Sequence, residues 1–192
     1  MAFEQKQLQK FTRIFVDTYR SLEKESDRGC VIVAAALTED LLEQCLKSFF
    51  LPPIGKQDTI LGVQTSNFST KIELAYRSGL IRKKIYKLLT FQRKLRNEFA
   101  HSFHDEGFSK DSVKSYVENI SSLSADMLYA VFEELEEAEK LGIVIPENKE
   151  KIAKSLLGSL GYRKTFQLAV SLNIGGLFLI VGEIEPVLPL TE

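Results

Sequence analysis

Apolar residues recur at helical spacing along most of the chain, and this pattern predicts an all-α fold, a single-domain bundle of about six to seven helices. From about residue 2 to residue 23, Phe, Leu and Tyr return every three or four positions with Lys and Gln between them. A stretch rich in Gly, Pro, Ser and Thr predicts a loop over 51–67. Comparable helical patterns cover residues 26–49, 68–77, 81–103, 111–140 and 147–157.

The second predicted helix is apolar on every side between Cys30 and Leu37, as expected of a buried helix. Ser26 is a favourable N-cap, and Asp27 lies in the first turn, where the helix dipole favours an anion. This helix and the one over 81–103 should therefore supply much of the core. The expected core residues are Cys30, Val33, Ala34, Leu37, Leu41 and Leu95.

Residues 165–182 carry no charged side chain and fit two structures. Apolar residues alternate with smaller or polar ones from Phe166 onward, which predicts a strand, and the sequence Asn-Ile-Gly-Gly over 173–176 could form a hairpin turn. Helical spacing is also present, although the two glycines would cost a helix roughly 1 kcal/mol each. The uncharged stretch just reaches the length of a membrane span, but its polar residues and glycines argue against one. The residue pattern leaves helix and hairpin open.

Composition and charge narrow the class of protein. With 192 residues, of which 44% are hydrophobic and 27% charged, the chain fits one globular domain over 1–192, with a core over 1–140 and a C-terminal extension over 141–192. The formal net charge of -1 gives no overall attraction to nucleic acid or to an anionic membrane. The start of the chain has no apolar leader, and the two cysteines form no Cys-x-x-Cys pair. We therefore expect a cytoplasmic protein without disulfides.

Motifs for common enzyme chemistry and for DNA reading are missing from the sequence. It contains no Gly-rich phosphate loop, no Gly-x-Ser-x-Gly and no His-Glu-x-x-His, so we expect neither cofactor nor metal. Cys30 and Cys45 lie in an apolar helix, which favours buried thiols over nucleophiles. The tract over 82–96 has seven positive residues in fifteen, but its apolar stripe is needed for the core. Because no basic recognition helix can be drawn, we expect the protein alone to bind duplex DNA only weakly.

The helix predicted over 81–103 carries the richest polar cluster of the chain. At 100° per residue, one stripe is apolar and must face the core, and it consists of Leu88, Phe91, Leu95 and Phe99. The opposite stripe is polar and consists of Arg93, Asn97, His101 and His104. Arg96 lies between the two stripes. The polar stripe is either the solvated face of an amphipathic helix or an anion site, because Arg offers a planar fork for phosphate and His can transfer protons near neutral pH.

Two segments resemble the mannitol operon repressor (MtlR) family. They are ESDRGCVIVAAALTEDLLEQCL, residues 25–46, and FSTKIELAYRSGLIRKKIYKLLTFQRKLRNEFAHSF, residues 68–103. The second includes the family's aromatic-Ser-x-Lys/Arg start and its Gly-Leu-Ile turn. The resemblance implies an all-helical homodimer that regulates transcription in bacteria, with a protein partner because members show no obvious DNA-binding motif.

The same resemblance bears on the C-terminal segment. The last helix of the family begins with an Arg, followed by an aromatic residue and Ala-Val. Arg163, Phe166, Ala169 and Val170 follow that order loosely. The resemblance therefore favours a helix over the hairpin for residues 164–180.

A shorter segment, Arg96-Asn97-Glu98-Phe99-Ala100-His101, resembles the Arg-polar-x-x-x-His motif of the HEPN superfamily of helical domains. Active members are metal-independent endoribonucleases in which the His and Arg act on the RNA 2′-hydroxyl and phosphate, usually across a dimer interface. Carried over, this implies that His101 is the acid or base, Arg96 the phosphate binder and Asn97 the orienting group. Many members have no nuclease activity, so the resemblance also allows an RNA-binding module.

Three interpretations follow, of which a regulatory interaction protein of the mannitol-repressor type is favoured. The second is an HEPN-type ribonuclease or RNA-binding module. The third is a scaffold in which Arg96 and His101 satisfy buried carboxylates such as Asp27. We predict that Arg96, Asn97 and His101 converge on a pocket beside the helix start at Ser26-Asp27-Arg28, because a helix N-terminus binds anions. The candidate binding residues are Asp27, Arg28, Arg93, Arg96, His101 and His104.

Overall fold

Helices form all of the regular secondary structure in the described part of the chain, which confirms the all-α prediction. The computed structural model describes residues 5–56, 58–62, 67–101, 107–134, 148 and 151–189. Within these ranges a short 3-10 turn, Gly107–Ser109, precedes the fifth helix. The α-helices are α1 (Gln5–Glu23), α2 (Asp27–Phe49), α3 (Phe68–Arg77), α4 (Lys83–His101), α5 (Asp111–Leu123), α6 (Ala125–Glu134) and α7 (Ile152–Val181).

The starts of α2 and α3 follow from capping residues that can be seen in the sequence. The Ser26 hydroxyl accepts a hydrogen bond from the Gly29 amide at 3.0 Å, and the Asn67 side chain accepts one from the Thr70 amide at 3.1 Å. Each bond satisfies a backbone N–H that has no partner inside its helix. Gly79, with a φ of 76°, lies just beyond the end of α3 in the left-handed region that glycine tolerates best.

Helix α7 lies at the centre of the bundle. It packs against α1, α2, α5 and α6, so the C-terminal segment is part of the core. The hairpin alternative for residues 164–180 is wrong, and close packing explains why. A Cβ at Gly175 would lie 3.0 Å from the ring of Phe11 on α1. Glycine disfavours a helix by its propensity. At position 175, however, the absence of a side chain is what lets α1 approach α7.

Length and composition would allow α7 to cross a membrane, but 61% of its most apolar 18-residue window is buried inside the bundle. The core helix of a globular protein has the same property. The short helix predicted over 147–157 is, from Ile152 onward, the first part of α7, and a kink follows it. The kink is at Gly161, whose φ of 75° and ψ of 174° are not helical.

The single long helix predicted over 111–140 is wrong, because the chain breaks at Ser124 into α5 and α6. Ser124 is buried, and its hydroxyl donates to the Ile120 carbonyl at 2.9 Å while accepting from the Asn173 amide of α7 at 2.8 Å. The break thus depends on a contact between distant parts of the chain. Residues 135–140 lie outside the described residues.

A buried polar contact joins α4 to α2. Gln92 is fully buried, and its amide donates to the Thr38 hydroxyl at 2.8 Å and to the Ala34 carbonyl at 3.1 Å. Thr38 also donates to the Ala34 carbonyl at 2.8 Å, so it faces inward. The bonds from the Gln92 Nε2 group fix the side of each helix that faces the other, although the buried Gln92 Oε1 atom has no hydrogen-bond partner.

The inward position of Thr38 corrects one expected core residue. Of the six expected, Cys30, Ala34, Leu41 and Leu95 are buried and Val33 is partly buried, whereas Leu37 is 38% exposed. Helix α2 packs against α1, α3, α4 and α7, and Leu37 lies on the part of its surface that these helices leave partly exposed. Although residues 30–37 are apolar all round the helix, only part of the surface of this segment is buried.

We predict different costs for two leucine substitutions on α2. Leu42→Ala should lower the free energy of unfolding by about 2–5 kcal/mol, because Leu42 is fully buried and its loss leaves a cavity. Leu37→Ala should cost about 1 kcal/mol or less, because Leu37 is already partly in water. Equilibrium denaturation by urea measures both values. Equal costs would contradict the orientation of α2.

Candidate functional site

Several signature residues of the two resembling segments have structural roles. Lys71, only 6% exposed, places its ammonium 3.1 Å from a carboxylate oxygen of Glu39 and 2.8 Å from one of Glu43. These three residues join α3 to α2, and hence join one resembling segment to the other. Phe68, at the start of the second segment, is buried in the core.

Charge pairing favours the ionised forms of Glu43 and Lys71. The hydrogen bond from Lys47 and then the bond from Lys71 lower the pKa of the Glu43 carboxyl. For Lys71 the largest single effect is burial, which lowers its pKa. The hydrogen bonds from Lys71 to Glu43 and Glu39, together with the negative charges of these two residues, outweigh burial. The pKa of Lys71 is therefore raised. The ionised forms of both partners are therefore favoured near neutral pH.

Asp27 also has a structural role, at the meeting of α2, α7 and the 3-10 turn. Its carboxylate accepts a hydrogen bond from the guanidinium of Arg163 at 2.7 Å and from the Phe108 amide at 3.3 Å. Arg163 also donates to the Glu25 carbonyl. The scaffold interpretation named the wrong cation, because the arginine that satisfies Asp27 is Arg163 and not Arg96.

Gly107 packs closely against the Asp27 carboxylate. Its φ is 56°, and a Cβ there would come 2.3 Å from an Asp27 carboxylate oxygen. The next residue, Phe108, packs its ring 5.6 Å from those of Phe99 and Phe166. The Asp27 carboxylate at the helix start is thus in contact with other residues of the chain itself.

The polar face of α4 borders a groove of about 440 Å³ between α4 and the start of α5. The Phe91 ring of α4 lies 6.3 Å from that of Tyr116 on α5, and the Lys94 ammonium lies 5.5 Å from the Phe91 ring centroid. The groove is lined by Arg93, Lys94, Asn97, Glu98, His101, Lys110 and Tyr116.

Electrostatically the groove is suited to an anion. Glu98 accepts hydrogen bonds from Lys110 and, at 3.4 Å, from the Ser112 hydroxyl. The bond from Lys110 lowers the pKa of the Glu98 carboxyl most, which keeps it ionised and paired. Since this acid is matched by Lys110, Arg93 and Lys94 give the groove a net positive charge. A guanidinium, an ammonium, an amide and a phenol can together hold a phosphate or carboxylate group.

The structure brings together only part of the predicted site. Asn97 and His101 line the groove with Arg93, but Arg96 does not line it. On a helix Arg96 lies 140° from His101 around the axis, which explains the separation. The groove that Asn97 and His101 line does not include Ser26, Asp27 or Arg28, and the Asp27 carboxylate accepts hydrogen bonds from Arg163 and from the 3-10 turn. The predicted binding residue His104 lies outside the described residues.

Sequence reasoning missed Lys110 and Tyr116, the two lining residues that come from outside α4. Tyr116 lies on the predicted helix over 111–140, and nothing in the pattern says which helix packs beside α4. The thiols are as expected, because burial raises the pKa of Cys30 and of Cys45 to about 11. Among the described residues, no group of three or more His, Cys, Asp or Glu side chains could hold a metal ion.

We predict that Lys71→Met lowers the free energy of unfolding by about 1–3 kcal/mol at neutral pH, because it leaves two carboxylates without their shared cation. Because the pKa of Glu43 is lowered by folding, its contribution is present above the ordinary value of about 4.5 and is lost as the pH falls through the lowered value. The difference from wild type should therefore shrink at acidic pH. Denaturation curves at several pH values test this, with the exposed Lys154→Met as control. A difference unchanged at acidic pH would contradict the triad.

Three side chains that line the groove, those of Arg93, Asn97 and His101, take no part in the core, capping and ion-pair contacts described above. In comparisons with known proteins, no family model, curated protein or solved structure matches the chain. A role for the groove must therefore be proposed from its own residues.

Proposed function

We propose that this chain is a bacterial transcriptional regulator of the mannitol operon repressor type, which acts in the cytoplasm as an interaction protein without its own DNA-reading motif. The groove between α4 and α5 is the surface on which it meets a protein partner. The partner presents a carboxylate-bearing side chain to Arg93 and Lys94, and Asn97 and Tyr116 supply neutral hydrogen bonds around it.

One observation carries the proposal. The two segments that resemble the repressor family fold into α2, α3 and α4, which pack against one another as a unit. Within that unit the core residues, the Lys71 triad, the Asp27 cluster and Gly79 all serve the fold. Of the polar residues of α4 that take no part in these contacts, Arg93, Lys94, Asn97 and His101 line one groove, whereas Lys83, Lys87 and Arg96 do not line it.

A genetic experiment tests this function. Deletion of the gene from its host should raise the transcripts of a sugar or sugar-alcohol uptake operon, measured by RNA sequencing. Wild-type protein supplied from a plasmid should restore repression, whereas a double Arg93→Glu, Lys94→Glu variant should not, because it reverses the charge of the groove.

The matched control is Lys83→Glu with Lys87→Glu, two exposed cations of the same helix that do not line the groove. It should restore repression at equal protein levels. Purified protein alone should give no sequence-specific gel shift at nanomolar concentration and physiological salt. Unchanged transcripts in the deletion strain, or a specific shift without a partner, would reject the proposal.

A second function is favoured by the position of His101. An HEPN-type endoribonuclease or RNA-binding module needs a His, a polar side chain and a phosphate-binding cation in one place. His101, Asn97 and Arg93 meet that need in the groove, with Arg93 in the role that the motif alone gives to Arg96. Tyr116 adds a ring on which a base can stack.

We expect this second function, if present, to depend on Arg93 and His101. Arg93→Ala should weaken binding of a fluorescent single-stranded RNA about tenfold, which corresponds to about 1.4 kcal/mol. Arg82→Ala, an exposed arginine just before α4, is the control and should have no such effect. If His101 is catalytic, wild-type protein should cleave RNA in the presence of EDTA, and His101→Ala should abolish this cleavage. The melting temperature of the variant should be unchanged.

The comparison of Arg93→Ala with Arg96→Ala decides which arginine faces the RNA. Fluorescence anisotropy at low salt is the measurement. Absence of RNA binding at low salt, where phosphate contacts are strongest, would reject the second function and leave the first untouched.

A further inference from the structure

The groove between α4 and α5 gathers the polar side chains of α4 around one point, the side chain of Asn97. Arg93 and Lys94 precede Asn97 by four and three positions, and His101 follows it by four. Side chains at these spacings are neighbours on the surface of a helix, with Cβ atoms about 5–6 Å apart. All four residues line the groove. A single small group that lies over Asn97 can therefore contact both cations and the imidazole.

The lining side chains differ in depth, and the difference suits a bound anion. Arg93, Asn97 and Tyr116 are partly buried and lie deeper in the groove, whereas Lys94 and His101 are exposed at its rim. Hydrogen-bond donors at depth can hold a group that has left bulk water, and a charge at the rim attracts that group from solution.

Positive charge exceeds negative charge at this point. Of the described residues that line the groove, one is acidic, Glu98, and it accepts hydrogen bonds from Lys110 and Ser112. The Lys94 ammonium lies 5.5 Å from the Phe91 ring centroid, and contact with a neutral ring does not cancel its charge. Arg93 and Lys94 thus offer two positive charges to a ligand, and protonation of the histidine at the rim would add a third.

A doubly charged anion matches this arrangement better than a singly charged one. A carboxylate or a phosphodiester carries one negative charge, whereas a phosphate monoester carries about 1.5 to 2 at neutral pH and has three strong acceptor oxygens. The groove volume of about 440 Å³ falls within the usual range of small-molecule pockets, about 300–1,000 Å³. It therefore has room for the organic part of such a ligand as well as for its phosphoryl group.

We propose that the groove is a binding site for a small phosphate monoester. Its phosphoryl oxygens accept hydrogen bonds from Arg93, Lys94 and Asn97, and its organic part packs against the ring of Tyr116. The regulatory meaning of this site rests on the proposed function. Because the ligand and the carboxylate of the protein partner need the same two cations, they exclude each other, and binding of the ligand releases the partner.

Isothermal titration calorimetry of the full chain at constant ionic strength tests the site with four probes. Phenyl phosphate should bind at least as tightly as inorganic phosphate, because its ring adds a contact with Tyr116. Dimethyl phosphate and acetate should bind at least about tenfold more weakly, because each carries a single charge. In NMR spectra of the amide groups, phenyl phosphate should shift the side-chain amide signals of Asn97.

Substitutions locate the site on α4. Arg93→Ala and Lys94→Ala should each weaken the binding of phenyl phosphate by about tenfold, as expected for the loss of one charge-assisted hydrogen bond. The matched control is Lys87→Ala, an exposed cation of the same helix that does not line the groove, and it should bind like the wild type. Circular dichroism melting confirms that each variant is folded.

Absence of phenyl phosphate binding at millimolar ligand would overturn the proposal, as would unchanged binding in Arg93→Ala. Equal binding of acetate or dimethyl phosphate would also overturn it, because the site would then not select a doubly charged anion. Tighter binding of inorganic phosphate than of phenyl phosphate would show that the ligand is free phosphate and not a monoester.

The site and the proposed function can fail separately. If phenyl phosphate does not bind but the charge-reversed groove variant still loses repression, the ligand site is wrong and the regulatory function stands. If phenyl phosphate binds and the same variant still represses, the ligand site stands and the regulatory function of the groove is wrong.

Discussion

Burial of α7 is the constraint on which the other helices depend. This helix has almost no charge from Thr165 onward, so most of its surface must be removed from water. Helices α1, α2, α5 and α6 cover it on different sides. Because the covering helices come from both halves of the chain, the bundle closes only when the C-terminal segment docks.

Polar side chains set the register of this packing. Gln167 donates to the Leu22 carbonyl at 3.0 Å and so joins α7 to the end of α1, and Asn173 joins it to Ser124 between α5 and α6. The kink at Gly161 places Tyr162 within 2.8 Å of Glu118 and turns Arg163 toward Asp27. Apolar contacts alone would allow one helix to shift along another. A shift of α7 would leave a buried amide without its partner, at a cost of about 1–3 kcal/mol.

The helices of the two resembling segments use their inner faces for packing and leave their outer faces for contacts outside the bundle. The inner faces of α2 and α4 meet at Gln92, and the side of α2 toward α3 holds the Lys71 triad. The outer face of α4 is basic and borders the groove, while the outer face of α2 is apolar. The charged surface on α4 is the one that we assign to a regulatory partner.

The sequence by itself determined the helical class, the cap of α2, the buried thiols and the polar stripe of α4, because these depend on local spacing and on single side chains. It could not determine that Leu37 faces water, that Asp27 pairs with Arg163 or that Tyr116 lies beside Arg93. Each of these depends on which helix packs beside which, over separations of tens of residues. The same reason decides the C-terminal segment, since only the approach of Phe11 to Gly175 explains why a pair of glycines lies within a helix.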